Sequence, residues 1–291
     1  MKKIELNKCH KAIAVTATMY AALALSACGS GDDKGRASTA NANAVADSSS
    51  AGPSIKVDGQ SMAISADIPA VTIVTPPVTW SPDGSLPQGT IRLSSRGHLA
   101  SQLKSHAPGA YTTLPWGTDS LSLSKGTVTD IAGNGQFAIG RWTDGSDSSG
   151  RSYNENQGRV WAIGAPVDVK VPSTGLSCAV VAATRPTSSD GNTVPGVLNS
   201  ATAKVASESN SLGVLESKVS LTLRYSIGSD VDQIAMPVAP LGAMYMSRLS
   251  RSSLHTTFLG PDASKPYLVV SYGVHSPTAG LINGLAILNC A

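Results

Sequence analysis

The chain has 291 residues, a formal charge of +3 and 14% charged residues, against ~25% in typical soluble domains. Lys2, Lys3, Lys8 and Lys11, offset by Glu5, hold that charge in the first 27 residues, so residues 28–291 are formally neutral. Neutrality excludes the basic footprint that nucleic-acid binding requires, and also a polybasic lipid-binding face.

In chain order, the basic start is followed by residues 12–25 (AIAVTATMYAALAL), which carry no charge. This is the order of a secretory signal peptide. The apolar run is ~14 residues, short of the ~20 that cross a bilayer as a helix. Leu25-Ser26-Ala27-Cys28 follows directly and resembles the lipobox of bacterial lipoproteins. That resemblance implies cleavage before Cys28, acylation of its thiol and amino group, and anchoring through more than one lipid chain, as stable attachment requires. Gly29, where an Asp favours inner-membrane retention in such lipoproteins, implies the outer membrane and leaves its face open. The expected membrane contact is this N-terminal lipid anchor.

Residues 28–52 form the expected tether. Val45 is the one large apolar side chain in the small, polar run GSGDDKGRASTANANAVADSSSAG, too little to offset the entropy of ordering. A coil of this length spans roughly 25–30 Å.

From Pro53 to Trp116 the pattern is that of a small β region. Ile55-Lys56-Val57 and Met62-Ala63-Ile64 flank Asp58-Gly59, a hairpin signal. Val71 to Val74 reads as a strand, and the proline-rich 75–90 as a loop. Ile91 to Leu93 reads as a short strand, and residues 97–105 as one or two helical turns.

From residue 117 to 291 the β signal strengthens. Phe137 to Trp142 and Gly158 to Gly164 read as a hairpin across the polar loop SDSSGRSYNENQ. Further strands are expected at 174–184, 197–206, 212–226, 253–259, 267–274 and 280–288, several of them 8–12 residues apart with turn residues between. This spacing predicts an all-β, antiparallel small barrel of about eight strands, and the absence of long amphipathic helices disfavours an α/β fold. In 219–227, Val219, Leu221, Leu223, Tyr225 and Ile227 share one face and Ser220, Thr222, Arg224 and Ser226 the other. One face is core and the other meets solvent. A membrane-spanning barrel turns its apolar face to lipid, which a lipid anchor makes redundant.

Cys178 and Cys290 remain once Cys9 and Cys28 are set aside, an even pair suited to an oxidising compartment. A disulfide between them closes a long loop and stabilises by up to about 4–5 kcal/mol in the chain-entropy model. Two free buried thiols are the alternative, and metal binding lacks the required ligand spacing.

Phe258-Leu259-Gly260-Pro261-Asp262-Ala263, then a strand and a last strand of small residues, resembles the closing motif of transferrin-binding-protein-like lipoproteins, which carry eight-stranded barrels. Gly140-Arg141-Trp142-Thr143-Asp144-Gly145, Gln157-Gly158 and Trp161 to Pro166, with Ala182 to Thr187 and Pro195 to Leu198, are similar to C-terminal barrel domains of some FecR-type proteins. The likeness covers about 117–290. Thr257 and Lys265-Pro266 depart from it where glycine is usual, and no ligand-contact residue carries over. On the residues themselves, Gly260-Pro261-Asp262-Ala263 suits a type I turn.

No GxSxG, HExxH or P-loop is present, and His98, His106, His255 and His275 have no metal-ligand spacing. No cofactor is expected. Asp230 and Asp232 share a loop where a cation or, more simply, water meets them; Trp80, Trp116, Trp142 and Trp161 suit core or rim. Tyr153, Asn154 and Asn156 in the long loop are the candidate partner contacts, because rigid scaffolds present function on loops. The expectation is a non-enzymatic, lipid-anchored binding module whose partner is a host or envelope protein. The alternative is a periplasm-facing structural or accessory lipoprotein of an envelope or transport assembly.

Overall fold

A computed structural model describes residues 55–76, 94–209, 212–247 and 251–291. Cys28, the tether, Trp80 and the strand expected at 91–93 lie outside the described residues.

The fold is all-β and barrel-like, built from two curled sheets. The first contains β1 (Ile55–Val57), β2 (Ala70–Val74), β3 (Ser94–Leu99), β4 (Lys104–Ala107), β5 (Ala110–Trp116), β6 (Asp119–Gly133), β7 (Phe137–Asp147), β8 (Ser152–Tyr153) and β9 (Arg159–Gly164). Its path runs β3-β2-β9-β7-β6-β5-β4, with β1 on β6 and β8 on β7. The second contains β10 (Leu176–Ala183), β11 (Thr187–Ser188), β12 (Val197–Ser209), β13 (Leu215–Ile227), β14 (Asp230–Pro240), β15 (Met244–Ser247), β16 (Ser252–Leu259), β17 (Tyr267–Ser276) and β18 (Gly280–Cys290).

The second sheet is a meander whose first long strand, β10, pairs antiparallel with its last, β18. Its path begins at β14 and finishes at β15, strands that follow each other in the chain. The turn between them bridges that seam at one end. Leu241 N–H donates to Ser217 O of β13 at 2.8 Å, and Gly242 N–H to Thr256 O of β16 at 2.9 Å. The eight strands of the main path curl around one shared interior, in keeping with the expected all-β, barrel-like fold, but the strands at 137–142 and 158–164, expected in the barrel, belong to the first sheet.

Among the described residues the buried apolar side chains form three cores. The barrel interior takes the alternating residues of β13 (Val219, Leu221, Leu223, Tyr225, Ile227) with Leu268, Val270 and Tyr272 of β17 and Ala286 and Leu288 of β18. The first sheet curls around Val71, Ile73, Tyr111, Leu114, Val128, Trp142 and Trp161. A third core forms where outer faces meet: Val74, Phe137, Ile139, Val160 and Ala162 from the first sheet, Leu259, Val269, Leu285 and Ile287 from the second. Strands β16, β17 and β18 are therefore covered on both faces. The one-face-wet alternation holds for β13 and fails for them.

Local chemistry explains the departures from expectation. Asp58-Gly59 does not make a hairpin: β1 runs parallel to β6, with Lys56 opposite Thr127, and Asp58 N–H continues onto Val128 O. Met62 to Ile64 form no strand, because the Ile64 N–H bonds instead to the Tyr111 hydroxyl at 2.8 Å. The helical signal at 97–105 becomes one 3-10 turn, Ala100–Gln102, between β3 and β4. The turn after β16 closes two residues later than expected, with Lys265 N–H bonding Asp262 O and the Asp262 carboxylate taking the Ser264 N–H at 2.8 Å. The boundary expected at 116/117 falls between β5 and β6, neighbours in one sheet; the passage between sheets comes after β9.

Candidate functional site

The long loop between β7 and β9 is built around one carboxylate. Asp147 closes β7 with 4% exposure. Its Oδ1 accepts the Ser149 N–H at 2.8 Å and the Ser149 hydroxyl. Its Oδ2 accepts the Arg159 Nε–H at 2.8 Å and the Tyr153 hydroxyl. Arg159 also reaches Ser149 Oγ at 3.0 Å. Burial pulls the Asp147 pKa up, but the bonds from Ser149, Tyr153 and Arg159 outweigh it and hold it below the usual carboxylate range. Burial and the Asp147 charge push the Tyr153 hydroxyl up to about 12, so it stays a donor. The exposed tip, Ser148 to Ser152, is thereby fixed in shape.

Beside this hairpin lies a trough of about 470 Å³. Lys56 of β1, Lys125 and Thr127 of β6, Asp144 of β7 and Ser152 and Tyr153 of β8 line it. Gly126 and Gly145 make its floor possible. Here β6 and β7 approach so closely that a Cβ on Gly145 would sit 1.8 Å from Lys125 O, and one on Gly126 would sit 2.6 Å from Thr143 O. Ladder irregularities flank this crossing, between Leu123 and Lys125 and between Lys125 and Thr127. Such bulges increase twist and open a surface beside the pairing.

Of the expected contact residues, the structure places only Tyr153 at the trough. Asn154 and Asn156 turn the other way. Each donates its side-chain N–H to Gly191 O at 3.1 Å, and Gln157 donates to Ser189 O at 2.7 Å. The 154–157 segment therefore clamps the loop between β11 and β12 of the second sheet.

A buried ionic group reinforces that clamp. Asp130 sits at a bulge of β6 with φ of 53°, a left-handed conformation that aims its carboxylate out of the ladder. It accepts Arg141 Nε–H at 2.7 Å and, from the second sheet's 184–186 segment, Arg185 Nε–H at 2.7 Å. Arg141, whose side chain is 1% exposed, also donates to Gln157 O at 2.9 Å. Burial lowers the Arg141 pKa while Asp130 raises it. Nothing in the residue types distinguishes Asp130 from a solvated turn carboxylate. The Gly-Arg-Trp run marks Arg141 only by position.

The remaining expected sites are placed as follows. Cys178 and Cys290 are directly paired on β10 and β18 and form a disulfide. It lies in the ladder that joins the barrel's first and last strands. Asp230 accepts the Ser276 hydroxyl and the Thr278 N–H, and Asp232 takes the N–H of Gln233. No group of three metal-capable side chains occurs among the described residues. Trp142 and Trp161 are fully buried; Trp142 Nε1–H donates to Tyr111 O at 2.7 Å. Trp116 packs half-buried on the first core.

Two features escaped sequence reasoning. His255 is 2% exposed on the β16 face turned toward the first sheet, and burial, with the nearby Arg96 charge, lowers its pKa to about 4. Ser95 Oγ and His98 Nε2 lie 2.6 Å apart within β3. Among the described residues no carboxylate bonds His98, and the Ser95 oxygen already accepts the Gly117 N–H. The pair thus lacks the third, orienting member of a nucleophile triad.

No family model, curated protein or solved structure matches this chain.

Proposed function

We propose that the chain is a lipoprotein anchored to the outer membrane through Cys28, whose β body is a non-enzymatic binding module for a host or envelope protein, on the transferrin-binding-protein-like pattern. The lipobox-like segment and polar tether support the anchoring. The observation that carries the binding reading is the Asp147-centred hairpin. It is exposed at Ser148 to Ser152, locked by bonds to one carboxylate, and set beside an open polar trough. A surface fixed before it meets a partner loses less entropy on binding.

Protease shaving of intact cells, with antibody against the β body and a Cys28→Ala control, tests the placement. Surface exposure predicts loss of the body from intact cells. A pull-down with Ser148–Ser152 replaced by Asn-Gly tests the hairpin. The expected result is loss of partner recovery in a variant that keeps the parent's β circular dichroism, with a thermal transition lowered by the loss of the Ser149 bonds to Asp147; full retention of partner recovery defeats the hairpin as the contact.

A second reading is a periplasm-facing structural or accessory lipoprotein of an envelope or transport assembly. Complete protection from protease until the outer membrane is opened favours it.

A further inference from the structure

We infer that the trough between β1 and the β7–β8 hairpin is a saccharide site for a sugar bearing a carboxylate or sulfate. This inference rests on the binding-module reading and names its ligand chemistry.

The side chains converge in a way that a structural role does not explain. Lys56 and Lys125 make no ion pair and no side-chain hydrogen bond among the described residues, and neither does the Asp144 carboxylate. Each is exposed, on backbone that is anything but loose. Lys56 is in the β1–β6 ladder, Lys125 stands between two bulges, and Asp144 has φ of 48° in β7. The unpaired charges are carried on ordered backbone around one concavity.

The chemistry of the lining narrows the ligand. The trough is open and polar, unlike the apolar clefts that enclose cofactors and drug-sized molecules. Two ammonium groups favour an anion. A fully anionic ligand, such as a bare phosphate or an acidic peptide run, also meets Asp144 and is repelled by it. A sugar has an answer to both. Its acidic group accepts charge-assisted bonds from Lys56 and Lys125, while its hydroxyls donate to Asp144 and exchange bonds with Ser152 and Thr127. The hydroxyl of Tyr153, which also lines the trough, is held by Asp147 and Arg159, which leaves its ring as the apolar surface it can offer a pyranose face.

The test is titration of the full chain in detergent with four probes: a sulfated hexasaccharide, a uronic-acid hexasaccharide, a neutral hexasaccharide and inorganic sulfate. At least one acidic hexasaccharide is expected to bind about tenfold or more tighter than the neutral one, the worth of a charge-assisted pair. Lys56→Gln with Lys125→Gln is expected to lower that affinity about tenfold and to flatten its salt dependence. Asp144→Asn is expected to weaken binding of both acidic and neutral sugars. Lys170→Gln with Lys204→Gln, the same charge change on exposed positions elsewhere, is the control and should leave affinity within about twofold. Three results overturn the inference: no hexasaccharide binds, inorganic sulfate competes as well as the sugars, or the control loses as much as the trough variant. If one of them occurs while the Ser148–Ser152 variant still loses its protein partner, the ligand class falls and the binding module stands. If that variant also retains its partner, both fall.

Discussion

The two sheets reach stability by different means. The barrel is the more regular, with a single register shift in each of the β10–β18, β12–β13 and β13–β14 ladders. Its strands follow one another, its interior is filled by alternating apolar side chains, and its first long strand and its last are crosslinked by Cys178–Cys290. The first sheet is irregular. Its longest pair, β6 and β7, carries three register shifts, a parallel strand is added to β6, and its shape depends on Asp130, Arg141 and Asp147. Regular pairing places apolar side chains efficiently and leaves few surfaces with unusual geometry. Bulges interrupt pairing and so create concave surface, at the cost of polar groups that need specific partners. The molecule's trough and its preorganised hairpin both belong to the irregular sheet.

This contrast can be broken experimentally. Asp130→Ala should have the largest effect. It leaves the Arg141 guanidinium buried without its carboxylate and releases Arg185, and loss of one partner of a buried pair costs about 3–5 kcal/mol. Denaturant unfolding with tryptophan fluorescence, which Trp142 and Trp161 report from the first core, should show the loss. Replacing both Cys178 and Cys290 by Ala strikes the barrel instead and should cost about 2–5 kcal/mol. A loss below about 1 kcal/mol would mean that the β10–β18 ladder holds the barrel's first and last strands together without help.

Acid should act at the junction of the two sheets. The folded-state pKa of His255, about 4, lies below its ordinary 6.5. The unfolded chain therefore binds more protons between those values, and stability is complete above pH 6.5 and lost as pH falls toward 4. At about 1.4 kcal/mol per pH unit, the full loss is on the order of 3 kcal/mol. Thermal melts of the parent and of His255→Phe across pH 4–7 measure it. Equal slopes would show that His255 does not control the junction. The smallest effect is expected at the clamp. Asn156→Ala removes one donor to Gly191 O while Asn154 retains the other, for about 0.5–1.5 kcal/mol. Hydrogen exchange at residues 189–192 should quicken; no change would mean that the Gln157–Ser189 bond suffices.

The sequence by itself determined the all-β class, the barrel's alternation and most of its strands, because a period of two with turn residues between is a local property. The strand at 219–227 is legible for that reason. The pairing of Cys178 with Cys290 was legible from the count of cysteines and the oxidising compartment that the sequence leads one to expect. Strands β14 and β15 were not, since Pro237 and Pro240 interrupt the pattern and Gln233 and Asp232 stand where apolar residues would mark a strand. Nor was the burial of His255 and Ser271, polar residues that only the second sheet's outer face turns inward. Tertiary structure alone decided that Asn154 and Asn156 bond Gly191, and that Lys56, distant in sequence from Lys125 and Asp144, joins them at one trough. The physical reason is common to these cases. A side chain's surroundings are set by segments far along the chain, and each ladder's bulges decide which face it meets.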